Sequence, residues 1–351
     1  MRVKLIQVTQ NPIDVMWTAA RTCYSEKSPV EMWEEIYYPS EEWQKLNDEN
    51  YKQQTEKHWN LVKKVLDSGH QSIAEHVYFT FAIEGVDRAL THQLVRHRAG
   101  IVFSQQSQRY VQPKNVEDLY EFMSYVIKGQ YDLIRERQLD IKLLGEELPE
   151  NYSGDICNKW IWNTINKYFV YEDKVPGLDS DKNVLACSEL RDQYFKAFYS
   201  YIKLLALGVK GEDARNVLPN ATKTNITMSV NYRELIHMCN LRLCTRAQLP
   251  IRNLFKEIVK CVKEVDERLA SYLVPACEVH GVCQEKMCCG RKPKFEDVMN
   301  AYNYYSTFIE PLNSPESLSK DDFNMLMEAI VNPKVNYKLA EFMKQPNILD
   351  K

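Results

Sequence analysis

The chain has 351 residues, of which 44% are hydrophobic and 26% charged, ordinary values for a folded protein of one large domain with insertions or two average ones. A net charge of −3 argues against nucleic-acid binding driven by the whole surface, so any anion site must be local. No run approaches the roughly 18 apolar residues that cross a bilayer, and Met1 to Pro12 lacks the apolar core of a signal peptide, so a cytoplasmic protein without membrane or nucleic-acid partners is expected.

Val3 to Thr9 alternates as a strand does and stops at Asn11-Pro12. Asp14 is placed to cap a short helix through Trp17, Ala19, Ala20 and Arg21. Residues 31–67 are charged and aromatic at helical spacing and end at Ser68-Gly69. The segment Gly69-His70-Gln71-Ser72-Ile73-Ala74-Glu75-His76 then has two readings. Ser72 with Glu75 three residues on spells a capping box, which is purely structural but leaves His70 unexplained. Val77 to Ile83 reads as a strand with one buried face, and Asp87 caps a helix on which Gln93 and Arg96, three apart, share a face.

Arg96-His97-Arg98 ends that helix, and a polar loop leads to Ser107-Gln108-Arg109-Tyr110. Arginine presents a rigid fork of donors that fits phosphates and carboxylates two bonds at a time. With Gln93, Ser107 and Tyr110 these arginines describe a pocket for an anionic, hydrogen-bonding small molecule; a solvated basic helix end is the competing reading.

Residues 128–186 mix charge, Trp160, Trp162, Tyr168 and Tyr171 with turn formers and carry no long apolar period, so an insertion or lid outside the main core is expected. A long amphipathic helix follows from Ser188 to Leu207, and a new start at Gly211 places Arg215 just inside a helix N-terminus, where the macrodipole disfavours a cation and anion binding would justify it. Thr227 to Val230 reads as a short strand and Tyr232 to Arg246 as a helix. On that helix Arg233, His237 and Leu241 fall in one arc and Asn231, Arg242 and Arg246 in another, which points to a ligand on each side. Pro250 bends or ends it, a further helix runs to Tyr272, and the tail after Gly290 is helical and polar. Ten cysteines include four crowded into Cys277 to Cys289. Zinc held by Cys277, Cys283, Cys289 and His280 is the alternative to free thiols; the irregular spacings favour thiols and no metal.

Four of these pieces, in this order, resemble the flavin-dependent thymidylate synthases. The family carries Arg-His-Arg, seven or eight residues, then Ser, matched by Arg96 through Ser107; a Gly-His-x-Ser/Thr-x-x-Glu-His segment, matched by residues 69–76; Ala-Arg-x-x-Leu-Pro, matched by Ala214 to Pro219; and an Asn-x-Arg helix ending in Leu-Arg-x-x-x-x-Ala-Gln, matched by Asn231 to Gln248. Ala19-Ala20-Arg21 fits the N-terminal helix as well. The resemblance covers residues 1–127 and 187–290.

It implies an α+β fold, a mixed or antiparallel central sheet flanked by helices, with residues 1–290 as the catalytic domain interrupted by a helical insertion at about 128–186, and residues 291–351 as a helical extension. It implies reductive methylation of deoxyuridylate (dUMP) at C5, with methylenetetrahydrofolate as carbon source, FADH2 as hydride donor and NADPH to restore it, in a homotetramer. By the same resemblance Gln93, Leu94, Val95, Arg96, Gln105, Gln106, Ser107, Gln108, Arg109, Arg215, Leu241 and Arg242 bind dUMP, and Arg242 polarises the uracil. Cys23, His70, Ser72, Glu75, Arg96, His97, Arg98, Asn231, Arg233 and His237 bind FAD. Ala99-Gly100-Ile101 departs from the usual x-Ala-Ser, and His237 stands where many members have Asn. No Pro-Cys-His nucleophile tripeptide occurs. The competing functions are an NADPH-oxidising flavoprotein reductase without methyl transfer, and a zinc or nucleic-acid module.

Overall fold

Alternation decides the sheet. In Tyr78–Asp87 (β2) the side chains of Phe79, Phe81, Ile83 and Val86 are buried on one face while Tyr78 and Glu84 stand outside. β2 pairs with Arg2–Val8 (β1) on one side and Lys223–Asn231 (β4) on the other, and β4 pairs with Ile101–Gln105 (β3), giving the order β1-β2-β4-β3 with every pairing antiparallel. The register sets apolar residues opposite one another across three strands: Val230 lies between Phe79 and Ile101, and Met228 between Phe81 and Phe103. The expected α+β class holds, with the sheet wholly antiparallel among the described residues.

This computed structural model describes residues 1–37, 48–130, 132–133, 154–171, 174–175 and 177–304. The chain divides into two units, Met1–Glu234 and Leu235–Lys351. The first unit adds the helices Pro12–Thr22 (α1), Pro29–Tyr37 (α2), Asp48–Asp67 (α3), Arg88–Leu94 (α4), Val116–Lys128 (α5), Gly154–Tyr168 (α6), Ser180–Ala206 (α7) and Gly211–Ala214 (α8), with a 3-10 turn at Gln71–His76. Helix Tyr232–Arg242 (α9) starts in it and ends in the second unit, which continues with Leu249–Val265 (α10), Glu267–Ala270 (α11), Ala276–His280 (α12) and Phe295–Tyr304 (α13). Pro250 lies in the first turn of α10, where its fixed φ favours the helix, and Ile251, Leu254, Phe255, Ile258 and Val262 form its buried stripe.

Several expectations change. Asp14 does not cap α1; the cap position is Asn11, and Asp14 is buried one turn in, accepting from Tyr37 Oη at 2.5 Å and meeting His58 Nδ1 at 2.7 Å beneath Trp17 stacked on His58. Ser72 and Glu75 form no capping box, because residues 71–76 wind as a 3-10 turn without a side-chain cap. Asp87 does cap α4, accepting from Leu90 N at 2.6 Å, but the helix stops at Leu94, so Arg96 lies beyond it and shares no helical face with Gln93. The helix expected from Ser188 begins at Ser180, capped by Asp179, and the one expected to reach Arg246 ends at Arg242.

Where it is described, the insertion packs on its neighbours. Trp160, Ile165 and Phe169 pack with Phe122 of α5 and Phe198 and Ile202 of α7 in one buried aromatic cluster. Residues 134–153 of the insertion, and 305–351 of the expected C-terminal extension, lie outside the described residues.

One glycine is fixed by its neighbour. Gly100 has φ +61°, and a Cβ there would meet Asn231 Nδ2 at 1.9 Å. Gly129 has a similar φ of +67° with nothing around the missing Cβ. Gly129→Ala should therefore cost about 1 kcal/mol, the left-handed penalty alone, and Gly100→Ala about 2–4 kcal/mol, since the clash adds to it. Denaturant midpoints of the two variants check this; equal losses would contradict it.

Candidate active site

The turn from β4 into α9 gathers three of the motifs. The Asn231 amide donates to Gly100 O at 2.8 Å, and the Tyr232 amide donates to Val77 O at 2.8 Å, so the loop after Arg98 and the segment after His76 are tied to consecutive residues. Asn231 Oδ1 accepts from Glu234 N at 2.8 Å, which caps α9. The Glu234 carboxylate in turn meets His97 Nδ1 at 3.1 Å with both side chains buried, His97 at 7% and Glu234 at 9% exposure. Arg233, exposed, pairs with Glu75 of the 3-10 turn.

This corner sorts the Arg-His-Arg triplet. His97 points inward to Glu234, and the flanking Arg96 and Arg98 are exposed. His70 and Ser72 are exposed on the neighbouring turn, and Cys23 is exposed at the end of α1. Leu94 is fully buried, so only its main chain is left for a ligand, while Gln93 and Val95 are half-buried.

A second cation pair forms around Glu212. Arg109 Nε meets Glu212 Oε2 at 2.8 Å, and Arg215 Nε donates to Glu212 O at 3.1 Å. Gln112 Nε2 donates to Arg109 O at 3.0 Å and lies where a Cβ on Gly211 would fall, 2.1 Å away, so the loop and the start of α8 interlock. Ser107 Oγ accepts from Arg109 N at 3.1 Å and keeps its hydroxyl hydrogen to donate. Gln108 Nε2 is buried without a hydrogen-bond partner. Gln106, Ser107 and Gln108 also line a cavity of about 540 Å³ with Lys223, Tyr168 and Tyr201; burial pushes the Tyr168 phenol up to about 12 and the Lys223 ammonium down. Gln105 Nε2 donates to Thr91 and Thr224, and Gln106 Oε1 accepts from Asn225 Nδ2 at 3.0 Å.

In the second unit, His237 and Leu241 are exposed and Arg242, in the last turn of α9, is half-buried. Burial pushes the Arg242 guanidinium below its usual value, yet arginine remains charged at neutral pH. Cys239 is fully buried and burial pushes its thiol well up, which leaves it neutral.

Glu234 and Glu212 were not singled out from sequence. Asn231-x-x-Glu234 carries the spacing of a capping box and could have marked the first; nothing in Gly211-Glu212-Asp213 distinguishes the second.

The described residues thus present two exposed arginines at a sheet-supported corner, and separately Arg109 and Arg215 around Glu212, as donor forks of the kind that meet anionic groups. The sequence matches the family model described as thymidylate synthase complementing protein over residues 4–266. It is 34% identical over 299 residues to the flavin-dependent thymidylate synthase of Clostridium tetani, covering 85% of this chain and 96% of that one. It is 32% identical to that of Geobacter sulfurreducens, covering 83% and 94%. The crystal structure of flavin dependent thymidylate synthase ThyX from Helicobacter pylori, complexed with FAD and dUMP, aligns at 20% identity and a TM-score of 0.49, covering 78% of this chain and 100% of that one. The chain belongs to the flavin-dependent thymidylate synthase family.

Asn231→Ala removes the α9 cap and should cost about 1 kcal/mol, whereas Asn231→Asp keeps an acceptor and should cost less. Thermal unfolding of the pair tests the assignment; an equal loss would show that the side-chain oxygen is not what matters.

Proposed function

We propose that the chain is a working flavin-dependent thymidylate synthase, forming thymidylate from deoxyuridylate by reductive methylation of C5 with methylenetetrahydrofolate as carbon source. When bound, reduced FAD supplies the hydride and NADPH restores it. The observation that carries the reading is the presence of two cation sets on separate supports, Arg96 with Arg98 and Arg109 with Arg215. A dinucleotide and a nucleotide each bring phosphate that needs such forks. The residues that would hold FAD are Arg96 and Arg98 with His70, Ser72, Asn231, Arg233, His237 and Cys23. His97 acts through Glu234, and Glu75 through Arg233.

For dUMP, Arg109, Ser107 and Gln108 take the phosphate, with Arg215 beside them. The unpartnered Gln108 amide is the kind of donor that such a ligand would satisfy. Gln93, Val95 and Leu241 complete the nucleotide pocket. Arg242 faces the uracil edge, where a fixed cation stabilises the charge that develops as C5 becomes nucleophilic. Attack by a C5 polarised in this way needs no enzyme nucleophile, consistent with a neutral, buried Cys239. The enzyme works as a homotetramer in the cytoplasm.

The purified protein, supplied with FAD, methylenetetrahydrofolate and NADPH, should convert deoxyuridylate to thymidylate; NADPH oxidation without thymidylate would instead make it a reductase. Arg109→Ala should weaken deoxyuridylate binding by about 1.5–3 kcal/mol, the range for hydrogen bonds to charged groups. Arg242→Ala should depress turnover of the saturated enzyme more than affinity, and Arg242→Lys should restore part of the rate, since it keeps the charge without the fork. Normal single-turnover rates in saturated Arg242→Ala would remove its role. Cys239→Ala should keep turning over, and a folded but inactive Cys239→Ala would mean the chemistry is misassigned.

A further inference from the structure

The cavity of about 540 Å³ in the first unit is only grazed by the proposed nucleotide site. Ser107 and Gln108 form part of its wall, but Arg109 and Arg215 do not; Arg109 lines a separate cavity with Glu212. Lys223, at the start of β4, lines it, whereas Asn231 stands eight residues on, about 27 Å away at the rise of an antiparallel strand. The insertion supplies another wall. Phe169 bridges Thr222, and Val170 N donates to Ala221 O at 2.8 Å, which sets the last turn of α6 beside the start of β4.

Lys223 Nζ donates to Asn166 O in that turn. An ammonium has three donors, so this carbonyl uses one of them. No carboxylate pairs with Lys223 among the described residues, although a lysine taken out of water ordinarily has such a partner. Tyr168 and Tyr201 line the same cavity, close enough that Tyr201 helps to raise the Tyr168 pKa. Tyr201 is 3% exposed, and neither hydroxyl has a hydrogen-bond partner among the described residues. A buried phenol ordinarily finds one. Burial keeps both phenols protonated and so able to donate. Glu84, the one carboxylate on the described wall, is paired with Arg2 at 2.8 Å, and Lys167 adds a second ammonium. Donors and positive charge thus gather here without an anion to meet them.

We propose that this cavity is a second anion site, which takes a phosphate group on Lys223, Tyr168 and Tyr201 with Lys167 as a further cation. Phosphate fits better than carboxylate. It brings close to two negative charges and three acceptor oxygens, against one charge and two oxygens, and so matches two ammonium groups and two phenols. The volume lies within the range of small-molecule pockets and exceeds what phosphate alone fills. Leu218 and Pro113 give the remaining wall an apolar part on which the body of a phosphorylated small molecule can rest. The ligand is therefore phosphate, free or carried on such a body. Two of its donors, Lys167 and Tyr168, come from the insertion, which gives that segment a ligand of its own.

The test is calorimetric titration of the full-length protein with inorganic phosphate and with ribose 5-phosphate, each with and without saturating deoxyuridylate. Saturable binding that persists when deoxyuridylate is bound is expected. Tighter binding of ribose 5-phosphate makes the ligand a phosphorylated metabolite, and equal binding makes it the free ion; both support the site. Lys223→Met and Tyr201→Phe should each weaken the better probe about tenfold or more. Tyr201→Phe should leave the thermal midpoint of the unliganded protein unchanged, since its hydroxyl holds nothing in the fold. Should Lys223→Met fail to fold, Tyr201→Phe, which keeps the ring, decides. No saturable binding of either probe would overturn the proposal, as would binding abolished by deoxyuridylate or undiminished in Tyr201→Phe. A chain that binds the probe but not deoxyuridylate would count against the proposed function and leave this site standing.

Discussion

The first unit depends on one corner, the four residues from Asn231 to Glu234. Two main-chain hydrogen bonds fix the 77 and 100 segments, a side-chain cap starts α9, and a buried histidine–carboxylate contact pulls the Arg-His-Arg loop inward. Removing one partner of a buried hydrogen bond leaves the other unsatisfied, at a cost of about 1–3 kcal/mol. The capping bond is worth about 1 kcal/mol. The His97–Glu234 contact is therefore the larger constraint, and the arginines on either side of the buried His97 are exposed. Gly100 belongs to the same constraint, since its missing side chain is what lets Asn231 approach.

Electrostatics at the surface follow the opposite logic. Arg109 rests on Glu212 and Arg233 on Glu75, both as exposed pairs. Exposed ion pairs contribute about 0–1 kcal/mol, whereas a hydrogen bond to a charged ligand group contributes about 1.5–3. A phosphate thus displaces such a carboxylate at little cost, while the acid keeps the guanidinium oriented beforehand. Buried pairing builds the scaffold, and weak exposed pairing leaves its cations exchangeable.

Much of this was legible in the sequence where periodicity or order in the chain carried it. The alternation of Phe79, Phe81 and Ile83 marked β2, Asp87 marked the start of α4, and four ordered motifs marked the family. What escaped was decided by partners remote in sequence. Asp14 looked like a cap because nothing nearby reveals His58 and Tyr37. Ser72 and Glu75 looked like a capping box because Arg233 lies far along the chain. β3 was missed inside a polar stretch because its five residues acquire a half-buried side only by pairing with β4. Trp160 and Phe169 seemed to belong to a lid because their apolar partners are on α5 and α7. The ligand roles of the site residues come from the family motifs and not from periodicity.

In the proposed flavin site, His97 acts through Glu234. A double-mutant cycle on FAD affinity, with His97→Ala, Glu234→Ala and the double variant, tests it most directly. Strong non-additivity is expected, with the double variant binding FAD no more weakly than the worse single one. Additive losses would contradict it and make His97 an independent flavin contact.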